Sequence, residues 1–275
     1  MNKKLGILII RGSGDSGFKR QEKFFDKVFK KLEKNGVNTD NIECEFVDWY
    51  EHLQNRQELI ISRMENAGVK LKGKLVRNLI LTNIGDLINY GGKPNLPNSN
   101  YEATHQLVYQ AIQNLQGKLE TNAPLIIVAS SMGTEIINNY IWDRQNATSP
   151  DPMGTTPFER FESLVGFFNF GHNIPIFAAS NNIDSLQPIS FPPSTLDAKF
   201  LPLAVWENYY DKNDPMGYPV KLLNTNYQNS AIEDIGINAG SIFIRWNLLS
   251  HFGYWKSGKI RKRLVDYITD ICKIL

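Results

Sequence analysis

Cysteine and histidine are both scarce in this chain of 275 residues, which has two of the former and four of the latter. The two cysteines, Cys44 and Cys272, are too few for a disulfide scaffold and favour a reducing compartment. No group of His, Cys and acidic residues has the spacing of metal ligands. The sequence therefore predicts neither a metal site nor a cofactor.

Long apolar runs and an excess of one charge are lacking as well. No run approaches the roughly 18 apolar residues that a membrane span needs. Residues 5–10, behind a basic start, are too few for a signal-peptide core. Thirty basic against 28 acidic residues leave a net charge of +2, too balanced for nucleic acid or an anionic membrane as the main partner. We expect a soluble, cytoplasmic enzyme or binding protein without membrane insertion.

Short apolar runs alternate with amphipathic stretches along the chain. Strands are predicted at 5–10, 42–49, 76–82, 124–129, 164–170, 200–206 and 241–246, and helices at 18–34, 56–67, 101–119, 136–141 and from 259 onward. This alternation predicts an α/β fold with a mostly parallel sheet and helices on both faces. We expect a single domain over 1–275, with loops at 83–100 and 145–160 that are long enough to form a lid.

The strongest chemical signal lies at 129–133, where the sequence is ASSMG. A buried strand stops, a serine stands between small residues, and a helix starts at once. Against the pattern G-x-S-x-G, alanine replaces the first glycine and Ser131 is central. A nucleophile on a strained turn needs small neighbours, and the start of a helix favours developing negative charge. We expect its hydroxyl to face solvent. The alternative is that Ser130 and Ser131 merely cap the helix.

In these features the sequence resembles the α/β-hydrolase superfamily, in its lipase- and esterase-like branch. The resemblance implies the α/β-hydrolase fold and a triad in the chain order serine, acid, histidine. His52 and His105 precede Ser131, and His172 comes before every aspartate that follows a late strand. Only His251 satisfies the order, just after the predicted strand at 241–246. The resemblance thus implies that His251 is the general base, whereas His172, expected near the pocket rim, is structural.

The acid is expected after the strand at 200–206, where Asp211 and Asp214 both stand. The family often has an acidic residue or a glycine three positions before its acid, which favours Asp214. Pro215 would also restrict Asp214 to extended geometry. Asp211 would then cap a turn, and it remains the alternative acid. In such a triad the carboxylate fixes the imidazole tautomer while the histidine takes the serine proton.

The resemblance also implies an oxyanion hole with two donors. One is the backbone N–H of Met132, the residue after the nucleophile. The second comes from the loop after the first strand, at 11–17. The family frequently has His-Gly there, whereas this chain has Arg11-Gly12, and we assign the second donor to Ser13.

The sequence thus predicts a serine hydrolase that forms an acyl-enzyme on a small ester or another acyl substrate, and an acyltransferase would share that intermediate. Two alternatives stay open. Residues 12–17 also satisfy G-x-G-x-x-G, a dinucleotide-binding pattern, but Asp15 places a carboxylate in that loop and Asp48 lies farther along than the usual ribose-binding acid. The other is a catalytically silent binding protein with the hydrolase fold.

Overall fold

Six parallel strands form one sheet in the computed structural model. The structure describes residues 3–13, 18–49, 59–60, 62–64, 66–68, 85–86, 88, 90, 99–148, 150–179, 182–239, 251 and 253–275. The strands are β1 (Leu5–Ile10), β2 (Ile42–Val47), β3 (Leu125–Ser130), β4 (Leu164–Phe170), β5 (Val205–Asp211) and β6 (Ile232–Ile237). Their order is β2-β1-β3-β4-β5-β6, and every neighbouring pair is parallel. The predicted parallel α/β fold is confirmed at this level.

Helices cover both faces of the sheet. They are α1 (Lys19–Lys34), α2 (Asn100–Gln116), α3 (Met132–Gln145), α4 (Ile174–Ala178), α5 (Thr225–Gln228) and α6 (Gly258–Cys272). Short 3-10 turns lie at Thr39–Asn41, Ile183–Ser185, Leu201–Leu203 and Tyr254–Lys256. Along β1, Ile7 and Ile9 pack with α1 and α6, whereas Leu8 and Ile10 pack with α2 and α3. Because successive side chains of a strand point to opposite faces, an uninterrupted apolar strand serves both layers.

The late strands differ from the sequence prediction. The strand expected at 200–206 begins only at Val205, because 201–203 form a 3-10 turn that contains Pro202, and proline has no N–H to donate to a sheet. The edge strand β6 was missed, since its sequence IEDIGI contains two carboxylates and a glycine and is half-exposed.

Several predicted elements lie wholly or partly outside the described residues. The strands at 76–82 and 241–246 lie outside them. Of the helix at 56–67, the described residues 59–60, 62–64 and 66 are helical. Within the predicted loop at 83–100, residues 85, 86, 88 and 90 are also helical, contrary to the prediction, and α2 begins at its end. The described residues 146–148 and 150–160 form turns and bends, as predicted.

The strand order reverses between β1 and β3. From β1 the chain moves outward to β2 and then returns to the other side of β1 to form β3. In open parallel sheets, ligands bind beyond the carboxyl ends of the strands at such a reversal. Gly12 follows β1 and Ser131 follows β3, so the topology places both at this edge.

Candidate active site

Ser131 occupies a strained turn between β3 and α3. Its backbone angles are φ 51° and ψ −130°, in a region that costs a residue other than glycine on the order of 1–3 kcal/mol. Its side chain makes no capping hydrogen bond to α3, which speaks against the alternative that it merely caps the helix. The residue is 6% exposed, so the hydroxyl does not face open solvent as expected.

Two glycines let neighbouring backbone close on this turn. A Cβ atom at Gly133 would lie 2.5 Å from the carbonyl oxygen of Arg11, so only glycine lets α3 start this close to the end of β1. A Cβ atom at Gly12 would lie 2.5 Å from Cβ of Ser131 and 3.1 Å from its hydroxyl oxygen. The chain after β1 therefore covers Ser131, which explains the low exposure of that residue.

Ser131, His251 and Asp214 form a continuous chain of hydrogen bonds. Nδ1 of His251 lies 2.7 Å from Oδ2 of Asp214, and Nε2 lies 2.5 Å from the hydroxyl oxygen of Ser131. A carboxylate can only accept, so Nδ1 carries the proton and Nε2 of the neutral ring accepts from the serine hydroxyl. The structure thus brings together the three residues that the sequence selected.

The carboxylate of Asp214 is buried and well supplied with donors. Besides His251, it accepts from the hydroxyl of Tyr254 at 2.7 Å and from the backbone N–H of Met216 at 2.9 Å. Burial would raise the pKa of Asp214, but the interaction with His251 and these hydrogen bonds outweigh it, so the pKa lies below its ordinary value. Asp214 is therefore ionised at neutral pH.

Asp211 has a different set of partners. One of its oxygens accepts the N–H of Asn213 at 3.0 Å, and the other accepts the N–H of Ala239 at 2.6 Å. Its carbonyl oxygen accepts the N–H of Asp214 at 2.9 Å. The carboxylate of Asp211 caps backbone groups, and that of Asp214 meets the histidine.

The expected oxyanion donors lie on two of the segments that meet here. Met132 is the first residue of α3, and the N–H groups that begin a helix have no acceptor within it. Ser13 is buried, and its hydroxyl oxygen has no hydrogen-bond partner among the residues that the structure describes. Ser130 joins the segments, because its hydroxyl oxygen accepts both the N–H of Gly12 and the indole N–H of Trp255 at 3.2 Å.

His172 lies beneath the turn and is fully buried. Burial lowers its pKa to about 3, so the ring is neutral. Its Nδ1 lies 3.1 Å from the hydroxyl oxygen of Thr134, and that hydroxyl donates to the carbonyl oxygen of Ser131 at 2.6 Å. His172 lies inside the protein, so the expectation that it lies near the rim of the pocket is wrong. Its contact with Thr134 instead supports the turn that carries Ser131.

Glu135 is a buried carboxyl group one helical turn after Ser131. One of its oxygens accepts from the side chain of Asn139 at 3.0 Å, whereas the other is buried without a hydrogen-bond partner in the described structure. Burial raises the pKa of Glu135 to about 7. The sequence gives no sign of this residue's environment, because a glutamate near a helix start is common and signals nothing by itself.

Comparison with protein-family models, with curated proteins and with solved structures gave no match. Among the described residues there is no group of His, Cys, Asp and Glu arranged to hold a metal ion. Within the same residues, no helix has the length and apolar character required to cross a bilayer.

Proposed function

We propose that this chain is a serine hydrolase of the α/β-hydrolase type, with Ser131 as nucleophile, His251 as general base and Asp214 as the acid of the triad. The observation that carries the proposal is the buried hydrogen-bond chain from Ser131 through His251 to Asp214, with distances of 2.5 and 2.7 Å. Side chains within hydrogen-bond reach in this order are the signature of an activated nucleophile. The strained backbone of Ser131 adds to the case.

The reaction then proceeds by acyl transfer. His251 Nε2 takes the hydroxyl proton of Ser131 as the serine oxygen bonds to the carbonyl carbon of the substrate, and the carbonyl electron pair moves onto its oxygen. Asp214 stabilises the imidazolium that forms. The oxyanion is assigned to the N–H of Met132 and to the loop of Ser13. When the tetrahedral intermediate collapses, the bond to the leaving group breaks and His251 returns the proton to it, which leaves an acyl-serine.

Water completes the cycle by the same steps. Water attacks the carbonyl carbon of the acyl-serine and gives a proton to His251. When this second intermediate collapses, the bond to the serine oxygen breaks, His251 returns the proton to Ser131, and a carboxylic acid leaves. A small carboxylic ester is the proposed substrate class, on the resemblance to esterases. An acyltransferase would differ only in the acceptor that replaces water.

The contacts of the loop after β1 favour this function over dinucleotide binding. A phosphate-binding glycine has to leave its backbone open to the ligand, but Gly12 packs on Ser131 and donates its N–H to Ser130. The acid considered for ribose binding, Asp48, accepts from the guanidinium of Arg11 at 2.9 Å. The backbone of Gly12 is thus engaged within the protein, and the half-exposed carboxylate of Asp48 already has Arg11 as its partner.

The proposal is tested with a fluorophosphonate probe, which phosphonylates activated serines. The wild-type chain should be labelled, and Ser131→Ala should not. Ser130→Ala is the matched control and should still be labelled. Its labelling should be slower, because the hydroxyl of Ser130 holds the loop of Gly12 against the turn. An unlabelled wild-type chain, or full labelling of Ser131→Ala, would overturn the assignment. Saturable tight binding of NAD would favour the dinucleotide alternative.

A further inference from the structure

The hydroxyl of Tyr254 links the two candidate acids. It donates to Oδ2 of Asp214 over 2.7 Å and accepts the backbone N–H of Asp211 over 3.0 Å. Tyr254 lies three residues after His251 and is 1% exposed. The same oxygen of Asp214 is the one that faces Nδ1 of His251. One carboxylate oxygen therefore receives two donors from a single short segment.

Close packing fixes the position of this hydroxyl. Gly171 has a φ of +64°, and a Cβ atom there would lie 2.8 Å from Cε2 of Tyr254 and 3.1 Å from Cε1 of His251. A Cβ atom at Gly217 would lie 2.7 Å from the hydroxyl oxygen of Tyr254 and would also collide with the carboxylate of Asp214. The backbone at these two glycines thus lies directly against the tyrosine ring and the carboxylate of Asp214, and any side chain at either position would displace the tyrosine or the acid.

The electrostatics keep the hydroxyl a donor. Burial raises the pKa of Tyr254 well above its ordinary value, and the negative charge of Asp214 raises it further. The hydroxyl therefore stays protonated, and its hydrogen bond to Asp214 helps to lower the pKa of that carboxyl. A donor on a carboxylate oxygen also withdraws negative charge from it, which weakens the hold of the carboxylate on a protonated imidazole.

We propose that Tyr254 is a positioning residue of the active site, which aims the carboxylate of Asp214 at His251 and moderates the charge that His251 meets. The inference rests on the proposed serine hydrolase function and adds a fourth residue to it. Without the hydroxyl, the carboxylate is less firmly oriented and presents more of its negative charge to His251.

The test compares Tyr254→Phe with Tyr267→Phe, which removes the hydroxyl of another buried tyrosine that donates at 2.8 Å to the carbonyl of Val165. The rate of fluorophosphonate labelling and the hydrolysis of p-nitrophenyl acetate are measured against pH. For Tyr254→Phe we expect rates about tenfold lower. We also expect the acidic limb of its pH profile to lie about half a unit higher. Tyr254→Phe loses two buried hydrogen bonds and Tyr267→Phe loses one. Both variants should therefore melt at lower temperature, but Tyr267→Phe should keep the wild-type pH profile.

Two further variants separate positioning from a loss of structure. Against an Asp214→Asn background, Tyr254→Phe should lower the rate no further, because its effect passes through Asp214. Replacement of Tyr254 by 4-aminophenylalanine, which keeps a weaker donor, should move the acidic limb in the same direction by less. It also serves as the test should Tyr254→Phe fail to fold.

The outcomes distinguish this inference from the function on which it rests. An unchanged acidic limb in Tyr254→Phe, or the same change in Tyr267→Phe, would overturn the role of Tyr254 while Ser131 remains the labelled nucleophile. Full additivity with Asp214→Asn would overturn it as well. Absence of labelling in the wild-type chain would overturn both.

Discussion

The hydroxyl oxygen of Ser131 lies 2.5 Å from Nε2 of His251, although 120 residues separate the two in the chain. Ser131 is held by the turn from β3 into α3, and His251 belongs to the segment before α6. Gly12 reaches the same point from the end of β1. Because three distant segments are in contact here, a displacement of any one of them by about 1 Å should misalign the reacting atoms and lower the rate.

Gly12→Ala should therefore disable the site without unfolding the protein. The added Cβ atom would lie 2.5 Å from Cβ of Ser131, so the loop and the turn have to move apart. We expect labelling by a fluorophosphonate to slow by about 100-fold, with an unchanged far-ultraviolet circular dichroism spectrum. Gly258→Ala is the control, since its Cβ atom would contact only the guanidinium of Arg261, at 3.8 Å. Equal labelling of Gly12→Ala and the wild-type chain would contradict the packing described here.

The two aspartates of the loop after β5 should respond differently to the same substitution. Asp214→Asn removes the charge that stabilises the imidazolium and should slow p-nitrophenyl acetate hydrolysis on the order of 10³–10⁴-fold. Asp211→Asn should leave most of the rate. It weakens the hydrogen bonds to Asn213 and Ala239, so it should lower the free energy of unfolding by about 1 kcal/mol. The reverse pattern of rates would make Asp211 the acid.

Glu135→Gln should stabilise the protein at alkaline pH. The native pKa of about 7 exceeds the ordinary value of 4.5, so between these values the unfolded chain has lost a proton that the native protein retains. The free energy of unfolding therefore falls as the pH rises through this window, and the penalty is complete above pH 7. Glutamine is neutral throughout and should raise the free energy of unfolding at pH 8 by up to about 3 kcal/mol.

Urea denaturation at pH 4.5 and pH 8 measures this difference. The control variant is Glu120→Gln, because the side chain of Glu120 is exposed. Its effect on the free energy of unfolding should not show the increase with pH that burial gives to Glu135→Gln. A stabilisation by Glu135→Gln that does not grow with pH would show that burial does not raise the pKa of Glu135 in the native protein.

The sequence predicts an element or a site residue well where the structure requires a short local pattern. The apolar strands, the amphipathic α1 and the small residues around Ser131 each follow from requirements that act within a few residues. The chain order serine, acid, histidine that the resemblance implies then picked out His251. The acidic residue three positions earlier and the following Pro215 favoured Asp214 over Asp211, and the structure brings the favoured three residues together.

The surroundings of these residues could not be predicted in the same way. Tyr254 reaches Asp214 across 40 positions of the chain, and Trp255 reaches Ser130 across 125. Such contacts depend on how loops from different strands pack, and no short pattern encodes them. β6 was missed because an edge strand does not need the apolar character by which buried strands are recognised. The start of β5 was misplaced because the apolar run around Pro202 continues into the strand without a change in hydropathy.

Mapping the phosphonyl group that a fluorophosphonate leaves on the chain tests most directly whether Ser131 is the nucleophile. After digestion of the labelled chain, fragmentation of the peptide that contains ASSMG distinguishes Ser131 from its neighbour Ser130, whose hydroxyl accepts from Gly12 and Trp255. We expect one phosphonyl group per chain, on Ser131, and a much lower rate of labelling in His251→Ala. Modification of Ser130, or labelling of Ser131 that does not depend on His251, would show that the proposed triad is wrong.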